Sequence, residues 1–300
     1  MARIVDYSSL TQAISDFSHR ADLADGLYTD YFIQTAQAKL ANDIFENNAG
    51  NGIAPMEVAM VPQAIQGGTL MVPADWFSPK SFQISDGSSD TWLLIFKAAS
   101  WLYDEYPYRQ PEGMPSYIAR DVMAAASFTG TISAVSASQA TLTVLSSPAP
   151  AGLIQVGMLL TDGGNQIVPP CTVTAQVSGT PGGAGVYTLA TQTLTGFSGE
   201  RISGGGNVFI FGPYPDSAYV VSGTYYSKGT PLSTAAPTNW MVLQCPETLH
   251  AYCMIEAAKF LKDAAMQQQW AATAEDFLTS LITRDKGERF AASTMQIELG

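Results

Sequence analysis

The chain has 300 residues, 46% hydrophobic but only 13% charged, about half the charged share of an ordinary soluble domain. Its 14 Lys and Arg stand against 26 Asp and Glu, a formal net charge of −12, and no three basic residues are consecutive, which argues against nucleic-acid binding as the primary task. Hydrophobic content suffices for a packed core, and the length approaches the point where single cores divide, so two domains are expected.

The residues from Met1 to Asp6 lack the apolar run of a signal peptide, and no apolar stretch reaches the roughly 18 residues of a membrane span. A soluble protein made in a cytoplasm is expected. Ser9-Leu10-Thr11-Gln12 has the form of a capping box, and Leu10, Ala13, Ile14 and Phe17 follow at helical spacing. A second helix is predicted over 27–47, with Tyr31, Ala38, Ala41 and Phe45 on its apolar side and Asn47-Asn48-Ala49-Gly50-Asn51-Gly52 as its stop. Strands are predicted at 56–61, 69–73, 81–84 and 91–96, then a short helix over 98–106.

A composition step follows. Residues 127–203 carry three charges, Asp162, Glu200 and Arg201, whereas the other 223 residues carry 37. Within this neutral stretch strands are predicted at 128–135, 140–145, 153–160, 172–177 and 186–190, separated by Gly-, Pro- and Ser-rich breaks. The pattern predicts an inserted all-β domain, sandwich or barrel-like, over 123–204.

Beyond it, strands at 207–211 and 218–226 flank Gly212-Pro213-Tyr214-Pro215-Asp216 and are expected to form a hairpin. Helical spacing then returns in Leu249, Cys253, Ala257, Phe260, Leu261 and Ala264, and again in Trp270, Ala274, Phe277, Leu278 and Leu281. Met295-Gln296-Ile297-Glu298-Leu299, within an extended tail over 291–300, alternates like a free strand. The predicted fold class is therefore α+β. Segments 1–122 and 205–300 form one discontinuous domain, a helical bundle from the two ends with a strand-rich middle, and the β insert is the second.

Catalytic signatures are missing from the sequence. His19 and His250 stand in no metal-binding spacing, there is no CxxC, and neither a phosphate-binding loop nor a GxSxG elbow occurs. Asp104-Glu105 and Glu275-Asp276 are adjacent pairs, which a helix points about 100° apart. Cys171, Cys245 and Cys253 fit buried thiols in a reducing compartment better than disulfides. No enzyme, cofactor or metal site is expected. Tyr103, Tyr106, Tyr108, Tyr214, Tyr219, Tyr225 and Tyr226, with Trp92, Trp101 and Trp240, suit a core and an interface equally well.

Several short motifs resemble the head-to-tail adaptor proteins of tailed phages. They are Trp101-Leu102-Tyr103-Asp104-Glu105-Tyr106-Pro107, Pro115-Ser116-Tyr117-Ile118-Ala119-Arg120, and Val208-Phe209-Ile210-Phe211-Gly212-Pro213-Tyr214-Pro215-Asp216. Thr238-Asn239-Trp240, Pro246-Glu247 and the run from Glu256 to Asp263 continue the resemblance. The insert is similar to Gly/Thr-rich β modules of phage structural proteins, through Thr172-Val173-Thr174-Ala175-Gln176-Val177-Ser178-Gly179 and Gly183-Ala184-Gly185-Val186-Tyr187-Thr188-Leu189.

The resemblance implies a virion protein at the head-tail junction, forming a ring, twelvefold in this family, between the portal protein and the tail tube or nozzle protein. DNA passes through such a ring without specific binding. The expected partner-docking residues are Met295, Ile297 and Leu299 in the alternating tail, with Phe290 and Arg289 at its root. The alternative is a virion-surface or tail-associated protein whose β module recognises carbohydrate.

Overall fold

The computed structural model describes residues 3–20, 27–65, 68–73, 75–87, 90–107, 111–133, 140–162, 167, 171–190 and 197–292. Its helices are α1 (Tyr7–Ser18), α2 (Leu27–Asn47), α3 (Ala99–Glu105), α4 (Trp240–Gln244), α5 (Pro246–Leu261) and α6 (Ala264–Ala292). Its strands are β1 (Glu57–Ala64), β2 (Thr69–Met71), β3 (Trp76–Ser85), β4 (Trp92–Phe96), β5 (Tyr117–Ser133) and β6 (Ala140–Val144), followed by β7 (Ala151–Gly152), β8 (Leu159–Asp162), β9 (Thr172–Gly179), β10 (Gly185–Ala190), β11 (Phe197–Gly212) and β12 (Val220–Ser227). The chain is α+β. It divides into two compact units, a helical one of Met1–Val58 with Tyr225–Gly300 and a β-rich one of Ala59–Thr224. No helix among the described residues is long and apolar enough to cross a membrane.

In the helical unit α1 starts two residues before the expected capping box. The Asp6 carboxylate accepts the Ser9 N–H at 2.8 Å, and the Ser9 hydroxyl caps the Asp6 backbone in return. A carboxylate is the stronger acceptor for the orphan amides of a first turn, so the cap falls on Asp6. The buried side of α2 is Phe32, Ile33, Ala36, Leu40, Ala41 and Ile44, and the predicted stripe is displaced from it, leaving Tyr31 and Ala38 exposed. Both stripes have helical spacing, and only packing decides between them.

The unit is organised around α5. Pro246 opens it, its missing N–H costing nothing in a first turn, and every residue from Thr248 to Ala258 is buried. A helix buried on all sides needs neighbours on all sides, and α1, α2, α4 and α6 pack on it. Lys262, in a left-handed conformation, ends α5, and the Asp263 carboxylate caps the next helix by accepting the Met266 N–H at 3.0 Å. In α6 the buried residues Ala274, Leu278, Leu281, Ile282 and Asp285 form one narrow stripe.

The β-rich unit is built on β5 and β11. They pair antiparallel from Phe197↔Ile132 to Gly212↔Tyr117. Near the Tyr117 end β4 joins β5 in parallel and β2 joins β11, within a sheet that also holds β1, β12 and β3. Toward the far end the pairs β5–β6, β6–β10, β10–β9, β9–β8, β8–β11 and β11–β5 close a six-stranded circuit. Leu142, Met158, Leu160, Tyr187, Leu189 and Ile202 fill it, all at or below 1% exposure.

At Gly204/Gly205 the register with β5 shifts, at the end of the stretch of β11 that pairs with β8 and ahead of the stretch from Val208 that pairs with β2. A Cβ on Gly204 would stand 2.1 Å from the buried Met158 sulfur, so the bulge needs glycine there. The boundaries expected at 122 and 205 fall inside β5 and β11, which run through them unbroken.

Two strand expectations are corrected. Residues 153–160 are not one strand, because a turn at Val156-Gly157, with Gly157 at φ +89, separates β7 from β8. Nor do β11 and β12 form a hairpin. From Val208 to Ile210 β11 has β5 on one side and β2 on the other, so neither edge is open, and β12 lies between β1 and β3 instead.

Leu142, wholly buried in the closed circuit, tests whether that core is close-packed. Leu142→Ala is expected to cost about 2–5 kcal/mol. The loss should appear in urea unfolding followed by a probe placed in the β-rich unit.

Candidate interaction surfaces

Among the described residues no group of three or more His, Cys, Asp or Glu could hold a metal ion. The three cysteines are buried and free, and burial pushes Cys171 up to about 11 and Cys245 up to about 12, far from reactive thiolate behaviour. The acids Asp104, Glu105, Glu275 and Asp276 are all exposed.

His19, at the left-handed end of α1, is exposed. His250, which stands in no metal-binding spacing, is a buried packing residue. Its ring stands 4.8 Å from that of Phe17 and 5.4 Å from that of Trp270, and its Nε2 is buried with no hydrogen-bond partner among the described residues. Burial depresses its pKa to about 4, against a smaller raising effect of a hydrogen bond to the Ala13 backbone.

Five of the ten aromatic residues singled out from sequence are core or pack against it. Tyr219, Tyr225 and Tyr226 are buried, while Trp101, Tyr106 and Tyr117 pack against the interior formed by β5 and β11. The Lys97 ammonium sits 5.0 Å from the Trp101 ring centroid and 5.9 Å from that of Tyr117. Trp76, Phe82, Phe96 and Phe209 form a four-ring cluster, every pair between 5.0 and 5.9 Å apart. Trp92 and Tyr103 remain partly exposed, Trp240 is half-buried, and Tyr108 lies outside the described residues.

A different aromatic surface exists on the helical unit. Tyr28, Tyr31 and Phe260 are 46%, 65% and 45% exposed, and the Tyr28 and Phe260 rings meet at 4.9 Å. The patch has no sequence signal of its own, because Tyr31 and Phe260 also fit the apolar stripes predicted for their helices. Its members come from α2 and α5, 232 positions apart at the widest pair of ring partners, Tyr28 and Phe260.

Of the expected docking residues, Met295, Ile297 and Leu299 lie outside the described residues. Phe290 is in the last turn of α6, and its side chain is not among those described. Arg289 is committed within the chain. Its guanidinium reaches Glu57 Oε1 at 2.9 Å and Asp285 Oδ2 at 2.8 Å, and donates to the Gly52 carbonyl at 3.1 Å.

A family model described as SU10 adaptor protein matches residues 123–296. The chain belongs to the SU10 adaptor family. The match begins within β5 and runs through the closed circuit, β12 and α5 into the tail. No curated protein matches the adaptor. Membership makes it a structural, non-enzymatic phage protein of the virion that contacts other virion proteins.

The buried His250 gives the adaptor a pH signature. An unfolded chain takes up the proton near pH 6.5 and the folded one only near pH 4, so stability is lost as pH falls through that window. Between pH 7 and pH 4 the stability difference between wild type and His250→Gln is expected to move by up to about 3 kcal/mol in favour of the variant, read from urea midpoints at stepped pH.

Proposed function

We propose that this adaptor forms a ring at the head-tail junction, set between the portal protein and the tail tube or nozzle protein and surrounding the path of the DNA. Twelve copies is the expected number. The observation that carries the reading is the SU10 adaptor match over 123–296. Several properties of the chain agree with it.

A ring needs side-to-side contacts that close by rotation, and these form best between neutral or aromatic surfaces. The exposed Tyr28, Tyr31 and Phe260 supply such a surface on the helical unit. Acid exceeds base in both units, 16 against nine in the helical one and ten against five in the β-rich one. Like charge on both keeps a passing duplex from adhering.

Segment 123–204, although it lies within the family match, is in this reading a graft that faces outward and is dispensable for ring closure. Its few charges suit decoration rather than grip, and among the described residues each strand of its circuit has a neighbouring strand on both sides. The tail docks by strand addition, with Met295, Ile297 and Leu299 toward the partner and Phe290 and Arg289 at its root.

Electron microscopy of the purified adaptor with its portal is expected to reveal a ring on the portal, and portals that stay bare would end the proposal. Removal of 293–300 should abolish docking while leaving the thermal transition in place; docking at wild-type affinity would remove the tail from the account. For Tyr31→Ala, exposure predicts a stability change within about 0.5 kcal/mol, together with weaker association between copies in analytical ultracentrifugation.

A further inference from the structure

The chain passes from the helical unit to the β-rich unit after Val58 and returns before Tyr225. Glu57, just ahead of the first passage, receives the Arg289 guanidinium at 2.9 Å. Tyr226, the second residue after the return, hydrogen-bonds the same guanidinium through its hydroxyl. The Tyr226 ring also packs on Gly52 so closely that a Cβ there would lie 2.5 Å from it, and it meets Phe45 edge-on at 5.3 Å. Gly52 in turn gives its carbonyl to Arg289 at 3.1 Å.

The arginine is itself held. Asp285, one turn earlier on α6 and 5% exposed, takes the Arg289 Nε–H on one carboxylate oxygen at 2.8 Å and the Ala54 N–H on the other at 2.7 Å. One planar group thus serves an acid on its own helix, an acid at the start of β1, a loop carbonyl and a phenol at the end of β12. Only a guanidinium, with five donors in a fixed fork, can reach that set, and an ammonium reaches part of it. The bonds are charge-assisted and partly shielded from water, the setting in which an ion pair holds geometry.

We infer that Arg289 is the clamp that holds the start of β1 and the end of β12 within the helical unit, and so is a positioning residue for those two segments. The role is independent of any ring, portal or DNA. It follows from where four segments of this one chain meet, and the free adaptor suffices to test it.

Hydrogen exchange of the full chain, followed by mass spectrometry, reads the clamp directly. In Arg289→Ala the amides of 52–58 and 225–228 are expected to exchange at least tenfold faster, and in Arg289→Lys severalfold faster. Amides of α5 from Thr248 to Ala258 and of β6 should keep their wild-type rates. Because Arg289→Ala leaves Asp285 and Glu57 without a counter-charge, a neutral variant carrying Arg289→Gln, Glu57→Gln and Asp285→Asn separates lost clamping from repulsion, and it too should loosen 52–58 and 225–228 alone. Unchanged exchange in those two segments in the folded Lys or neutral variant overturns the inference. So does equal acceleration of α5 and β6, which would mark Arg289 as a source of general stability.

Discussion

The rest of the β-rich unit depends on one pairing, the antiparallel ribbon of β5 and β11. Its hydrogen bonds run from Gly212↔Tyr117 to Phe197↔Ile132. At one end the ribbon supplies two strands of an open sheet, and at the other two staves of a closed circuit. Backbone groups along it are satisfied by partners far away in sequence, and the open sheet and the closed circuit are joined through it. Its inward side chains serve both ends. Val208 and Ile210 lie in the same continuous interior as Leu142 and Tyr187, while Phe209 points into the four-ring cluster with Trp76.

The helical unit follows a different economy. Its core is one helix buried on every side, and specificity at its surface comes from polar bonds across long sequence separations. Gln37 on α2 accepts the Leu232 N–H at 3.1 Å, and the Tyr252 hydroxyl on α5 donates to Asp43 on α2 at 2.6 Å. The Tyr7 hydroxyl donates to Asp30, joining α1 to α2. Apolar burial gathers the helices, and these bonds fix their register, since a buried polar group without its partner costs more than a misplaced methyl.

Much of this was legible in the sequence, and the failures share a cause. Strand existence followed from alternation, as Thr141-Leu142-Thr143-Val144 did, because a half-buried strand writes its two faces into the chain. The charge step at 127–203 marked the closed circuit, since few of its residues need to interact with water or ions. Partnership was not legible. The Gly212 to Asp216 turn has hairpin chemistry, yet β12 pairs elsewhere because β2, over 130 residues earlier, already holds the free side of β11. The same applies to α2, where Tyr31 and Ile33 fit equally periodic stripes and only the neighbours on α5 choose. For Arg289 the local signal covers only Asp285, four residues earlier: Glu57 lies 232 residues away, and nothing in the tail sequence points to it.

The closed circuit of β5, β6, β10, β9, β8 and β11 carries a consequence for crowding. A virion holds its structural proteins side by side at local concentrations far above those of dilute solution. A Thr- and Val-rich β module with a bare edge would then meet identical edges at every turn, the condition under which strands of separate molecules zip together. Giving each strand of the circuit a neighbour on both sides reduces that hazard. Strands engaged with neighbours of their own chain are less available to identical strands on the next molecule.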